Sequence, residues 1–172
     1  MSTINFEQGM IVINSMTALK NTQPEYDGQR IVLTEYYQGK GQGGGVFTGH
    51  INAEKVIDDG GYSTLKVNQS TAAWYRNDLT QLSLYDGGCD PTLADNGPLI
   101  QNIALIRGER SVKIPSGYWN IKTPIVFPAN SGIALYGESS YNGRAVLVYS
   151  GQDLPEQTDI TGIITIAAAQ GK

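Results

Sequence analysis

A mostly β fold is predicted, with a small β-rich domain carrying a short helix, then a capping helix and a stack of short strands. Three features carry that expectation. The 172 residues hold 21 Gly and 10 Tyr against 3 Phe, the balance of a turn-rich β protein with half-buried aromatic strands. Apolar runs are short and separated by clusters of Gly, Pro, Asn and Ser. Near the middle of the chain Leu99, Ile100, Ile103, Ala104 and Ile106 recur at three- and four-residue steps, giving one apolar helical face.

In chain order, the first ten residues show no sustained period, and Met10-Ile11-Val12-Ile13 can pair as a strand. Asn14 or Ser15 is a natural cap for a short helix through Ala18, Leu19 and Lys20, ended by Gln23-Pro24. Asp27-Gly28 has turn chemistry, and a strand follows from Arg30 to Tyr37. Strands are also expected over Val46 to Ile51, Ser63 to Val67 and Ala73 to Arg76. Gly39 to Gly45, GKGQGGG, contains a G-x-G-x-x-G string at Gly39, Gly41 and Gly44. Dinucleotide binding needs a helix next, whose N-terminal N–H groups hold the pyrophosphate. A strand follows instead, so the glycines are read as a hairpin or a close backbone approach.

The central helix has Asp95 or Asn96 as its cap, Pro98 in its first turn and Gly108 past its end. Val112 to Ile121 then reads as strand chemistry broken by Pro115-Ser116-Gly117. Beyond it come Ile125 to Phe127, Ile133 to Tyr136, Ala145 to Tyr149 and Gly162 to Ala167, with turn clusters between. One helix feeding evenly spaced short strands is the pattern of a capped solenoid. At roughly 20 to 25 residues per coil, the segment from Val112 onward holds two or three coils.

Two groups of motifs resemble those of bacteriophage tailspikes, whose pectate-lyase-like β-helices open in this way. Gly43-Gly44-Gly45-Val46-Phe47, then Asp58-Asp59-Gly60-Gly61, then Trp74-Tyr75-Arg76 are similar, in order, to the GGG-[VI]-F, DDGG and W-x-R of the small domain in that family. Tyr85-Asp86-Gly87-Gly88, Ile100-Gln101-Asn102-Ile103 and Val112-Lys113-Ile114-Pro115-Ser116-Gly117-Tyr118 resemble the run leading into its β-helix. Cys89 and Pro91 depart from that run, and its TDDT is reduced to Ala94-Asp95-Asn96-Gly97. The resemblance implies an N-terminal tailspike domain over 1–78, a linker and capping helix over 79–108, and the start of a truncated right-handed parallel β-helix over 109–172. It implies a homotrimeric receptor-binding protein of the virion tail, made in the host cytoplasm, which recognises and degrades surface polysaccharide. This stretch would serve virion attachment, connection and trimer nucleation, with its partners a tail, baseplate or other tailspike protein and, downstream, the polysaccharide. A non-catalytic carbohydrate-binding adhesin and a bacterial pectate-lyase-like enzyme are the alternatives.

Composition removes other classes. The net charge is −4 with no Lys/Arg cluster, so nucleic acid is not an expected partner. No apolar run approaches the roughly 20 residues of a membrane span, and the N-terminus lacks the pattern of a signal peptide. A single cysteine, Cys89, precludes a disulfide framework and a Cys-rich metal site. Asp86, Asp90 and Asp95 do not follow calcium-loop spacing and read as turn and capping residues; no metal or cofactor is expected. The other carboxylates also lie in turns, and no catalytic pair is assigned. The lone His50 is read as a polar loop residue. Trp119, Tyr118 and Trp74 are the candidates for stacking on a sugar, with core packing as the competing role.

Overall fold

The computed structural model describes residues 10–108, 110–129, 131–140, 143–150 and 164–166. Residues 1–9 of the N-terminal stretch without a period and 151–159 of the turn cluster that begins at Ser150 lie outside them, as do the two ends of the strand expected over 162–167.

The chain begins with β1 (Ile11–Ile13) and the helix α1 (Met16–Lys20). Ser15 caps α1, its hydroxyl accepting from the Ala18 N–H at 3.2 Å. There follow β2 (Arg30–Leu33), β3 (Gly45–His50), β4 (Thr64–Lys66) and β5 (Ala73–Arg76). They form one sheet in the order β1-β2-β3-β5-β4, antiparallel except for β1, which adds to β2 in parallel. Alternation puts Ile31, Leu33, Phe47, Leu65 and Trp74 on the face covered by Met16 and Leu19 of α1. The strand expected to reach Tyr37 stops at Leu33, because residues 34–44 turn back to pair β2 with β3.

That return explains the glycines. A Cβ on Gly44 would overlap the Thr34 carbonyl oxygen and stand 2.7 Å from that of Leu33. Gly43, at φ +76°, would drive one into the Tyr85 carbonyl oxygen. Close approach is therefore what this stretch requires, at Gly43 and Gly44. Gly39, at φ +84°, has open space around it. Gly44→Ala is expected to cost about 1–3 kcal/mol by overpacking against backbone that cannot move aside. Gly39→Ala should cost only its left-handed strain, about 1–2 kcal/mol. Urea midpoints of the two variants check the order.

The second layer of structure starts at β6 (Leu82–Ser83) and a 3₁₀ turn at Leu84–Gly87. The helix α2 (Gly97–Gln101) passes into a 3₁₀ turn at Asn102–Leu105. This is shorter than the amphipathic helix expected up to Gly108. Ile100, Ile103 and Ile106, all buried, are spaced by three, which suits the eclipsed face of a 3₁₀ helix. The chain is already extended at Ile106 (φ −55°, ψ 134°), two residues before Gly108.

Then come β7 (Arg110–Ile114), β8 (Gly117–Ile121) and β9 (Ile125–Phe127). A second round follows with β10 (Ile133–Gly137), the short β11 (Ser139–Ser140), β12 (Gly143–Tyr149) and β13 (Ile164–Ile166). Each strand of the first round pairs in parallel with its successor in the second: β7 with β10, β8 with β12, β9 with β13. β6 pairs with the other side of β7. The result is a parallel β-helix of three sheets. Its inward positions stack in columns: Leu82 on Val112 on Leu135, Trp119 on Leu147, Ile121 on Tyr149, Ile125 on Ile164. The sequence offsets within paired strands are 23 for Arg110 and Ile133, 28 for Gly117 and Ala145, and 39 for Ile125 and Ile164. Strand register is thus kept while the connections differ in length.

Each strand of the first round meets a different group at its leading edge. β6 covers β7. The Asn120 carbonyl of β8 accepts from the backbone N–H of Asn96 at 2.8 Å and from its side-chain Nδ2 at 3.2 Å. At β9, Val126 donates its N–H to Gln101 Oε1 at 2.8 Å and accepts from Gln101 Nε2 at 2.7 Å.

Candidate functional site

The three motifs of the small domain meet at one side chain. Arg76 ends β5 and is buried, 5% exposed. Its Nε donates to the Gly61 carbonyl at 3.1 Å and its Nη1 to the Gly44 carbonyl at 2.6 Å. Nη1 also lies 3.1 Å from Asp86 Oδ1, and the guanidinium sits 4.7 Å above the Phe47 ring, its neighbour across the sheet. One fork of donors therefore ties the glycine loop, the Asp-Asp-Gly-Gly turn and the segment that opens the β-helix. Such a charge is held inside because its donors and its countercharge are both satisfied.

The turn is organised by Asp59. Its carboxylate accepts from the N–H groups of Gly61 and Thr64 at 3.1 and 3.0 Å, from that of Ser63, and from the Ser63 hydroxyl. Ser63 Oγ in turn accepts from the Arg107 N–H at 3.0 Å, beyond the 3₁₀ turn. Asp58 accepts from the Gly60 N–H and pairs with Lys20 at 3.1 Å. Gly60 and Gly61 take φ values of +80° and +97°, which this turn needs and a side chain would strain. Burial raises the Asp59 carboxyl above its ordinary range, against the Ser63 hydroxyl and the Thr64, Ser63 and Gly61 amides that lower it. A raised carboxyl is what a general acid needs, but Asp59 is fully buried with its oxygens engaged by its own turn. Gly43, Gly44, Gly45, Phe47, Asp58, Asp59, Gly60, Gly61 and Arg76 thus act in binding one part of the chain to another.

A second set of contacts lies beside the first. Tyr36 OH donates to the Gly60 carbonyl at 3.0 Å and Tyr37 OH to that of Gly88 at 2.9 Å. Lys40 Nζ meets Asp90 Oδ2 at 3.2 Å, closing the glycine loop over the same segment. Cys89 is buried beside the Tyr62 phenol; burial pushes its thiol up to about 12, which removes it as a nucleophile. His50 lies on β3, not in a loop, and packs against the Tyr75 ring at 4.2 Å.

The sugar-stacking candidates separate. Trp119 is 0% exposed and points into the β-helix, its Nε1 donating to the Pro115 carbonyl at 2.9 Å. Trp74 is also 0% exposed, its Nε1 donating to the Thr22 carbonyl at 2.7 Å. Neither can present a ring to a ligand, and both are corrected to core residues. Tyr118, on the outward parity of β8, is 66% exposed. The helix-cap candidates separate too. Asp95 Oδ1 accepts from the Gly97 N–H at 2.9 Å, at the first helical residue. Asn96 does not cap through its side chain: its near-helical backbone (φ −96°, ψ −6°) turns the amide away from the helix. Its Oδ1 accepts from the Asp90 N–H, and its Nδ2 serves β8. Sequence reasoning missed Gln101 as an edge cover; its amide side chain one turn before a strand stack was the available signal.

The turn carboxylates are held as anions. At Asp95, burial acts upward but is outweighed by the Lys122 amide, the Thr123 hydroxyl and amide and the Gly97 amide. At Asp90, burial is outweighed by Thr92 and Lys40. The Ser116 amide and then Lys113 lower Glu138. Their stabilisation is full above the ordinary values of 3.8 and 4.5 and is lost as pH falls through the lower folded values. Asp59 has the opposite sign: its contribution is present below 3.8 and lost as pH rises through its raised value. Melting temperature is therefore expected to fall below about pH 4, with Asp95→Asn flattening that limb. Thermal melts across the acid range read both.

Residues 12–79 match the family described as the phage tail protein small four-stranded β-sheet domain. The chain as a whole has the fold of the N-terminal portion of a bacteriophage tailspike. It is similar to tailspike protein 2 of the Escherichia coli O157:H7 bacteriophage CBA120, at 26% identity and a TM-score of 0.67, over 92% of this chain and 19% of that one. It shares its fold with a tailspike of Acinetobacter baumannii bacteriophage Fri1, a capsular polysaccharide depolymerase, at 21% identity and 0.58, over 77% and 25% of the two chains. It also shares its fold with WceF of Pantoea stewartii, a glycan biofilm modifying enzyme, at 23% identity and 0.54, over 70% and 19%. The chain spans between 19 and 25% of the length of these proteins. No curated protein matches it. Among the described residues no helix is long and apolar enough to cross a membrane.

Proposed function

We propose that this chain is the connecting portion of a tailspike, in which the small sheet serves virion attachment and the β-helix leads toward a polysaccharide-degrading region. The observation that carries this reading is the Arg76 junction, where the small sheet and the opening of the β-helix share one buried cation. A rigid coupling of that kind suits a protein that must pass orientation from a tail to a receptor-binding rod. The described carboxylates with hydrogen-bond or ion-pair partners are committed to local structure, so the stretch itself is read as non-catalytic. Assembly is read as a homotrimer, with a tail or baseplate protein, or another tailspike, as partner. Native mass spectrometry tests the assembly: a trimer is expected, and a monomer at micromolar concentration would overturn that part. Incubation with host capsule or O-antigen should release no oligosaccharide from this chain alone.

Exposed Tyr118 favours one second reading, a carbohydrate-binding adhesin. Tyr118→Ala should change stability by less than about 0.5 kcal/mol. On the connecting reading it should also leave retention on host glycan unchanged; loss of retention would favour the adhesin.

A further inference from the structure

We propose that the Gln101 side chain acts as a surrogate strand, which together with Asn96 closes the leading edge of the β-helix against pairing with a second copy of the same edge. An uncovered edge strand offers a row of N–H and C=O groups to any other extended chain. Here β7 is covered by β6, leaving β8 and β9 to be closed by something else. In a parallel strand the N–H and C=O of one residue face the same neighbour. Those of Val126 face Gln101, whose amide is one acceptor and one donor, the complement a strand residue would give. Asn96 covers the Asn120 carbonyl of β8 twice, from backbone and side chain, while its oxygen is held by the Asp90 N–H. The two residues lie five apart in sequence and serve two different sheets. The same bonds fix register, since a slip of one residue would present Ile125 or Phe127 to Gln101 and turn the buried face outward.

The test is hydrogen exchange at the Val126 amide combined with solution mass, on the whole chain. Gln101→Leu removes donor and acceptor at similar volume; the Val126 amide should exchange about tenfold faster. A species of twice the wild-type mass should also grow with concentration. Gln101→Glu keeps both an acceptor and a donor while its carboxyl is protonated, so the Val126 amide should stay protected in acid and lose that protection once a carboxylate oxygen faces the Val126 carbonyl. A purely packing role for this helical position would expose Val126 equally in both variants in acid and overturn the proposal. So would an unchanged exchange rate, or an unchanged mass at high concentration, in Gln101→Leu.

Discussion

Replacing Arg76 by methionine is expected to lower the unfolding free energy by about 3–5 kcal/mol, the range for removing one partner of a buried ion pair. The substitution leaves Asp86 without its cation and the carbonyls of Gly44 and Gly61 without a donor. It keeps a stem of similar length against Phe47, so the loss is electrostatic and not one of volume. Arg76→Lys should recover little, because a single ammonium cannot reach three acceptors in fixed directions. Urea unfolding followed by tryptophan fluorescence measures this directly, since Trp74 lies two residues away on β5. If both variants unfold at the wild-type midpoint, the junction is not what holds the small sheet to the β-helix.

Trp119→Ala is expected to cost a similar amount, about 3–5 kcal/mol, by emptying the centre of the first coil. The indole packs edge-on against Tyr85 at 5.2 Å, stands in column with Leu147, and its Nε1 is bonded to Pro115. Its neighbour Tyr118 should tolerate the same change, so the pair separates packing from surface within one strand. Comparable losses at both positions would mean that the outward face of β8 is covered.

Much of the architecture could be read from the residues, and the errors have physical sources. Short apolar runs between turn residues located β3, β7, β8 and β9, and these strands alternate in period two because each has one face that must be apolar. The same rule, applied to Gly117-Tyr118-Trp119-Asn120-Ile121, puts Trp119 on the side of Ile121 and away from Tyr118, as found. Residue type suggested a sugar platform where parity already pointed inward. Trp74 was harder, since it shares parity with Arg76, and an arginine normally marks the solvent side. Only the partners of that arginine, distant in sequence, make its burial tolerable. Asn96 was misread because capping rules assume an extended residue before the helix, and here the backbone is already close to helical. The helix was overextended because a spacing of three serves 3₁₀ geometry as well as one face of an α-helix. Motif order gave the membership of the Arg76 junction, but not that its parts touch.

The unequal offsets between paired strands bear on how such a chain can change over generations. Columns of stacked side chains fix what each strand must be, whereas the corners between strands already differ from one round to the next. Doubling the length of a flexible connection costs only about 0.6 kcal/mol in closure entropy. A corner can therefore acquire residues, and with them new surface chemistry, while the prism beneath keeps its shape. Diversification in this architecture is expected at the turns, with the inward columns held nearly constant.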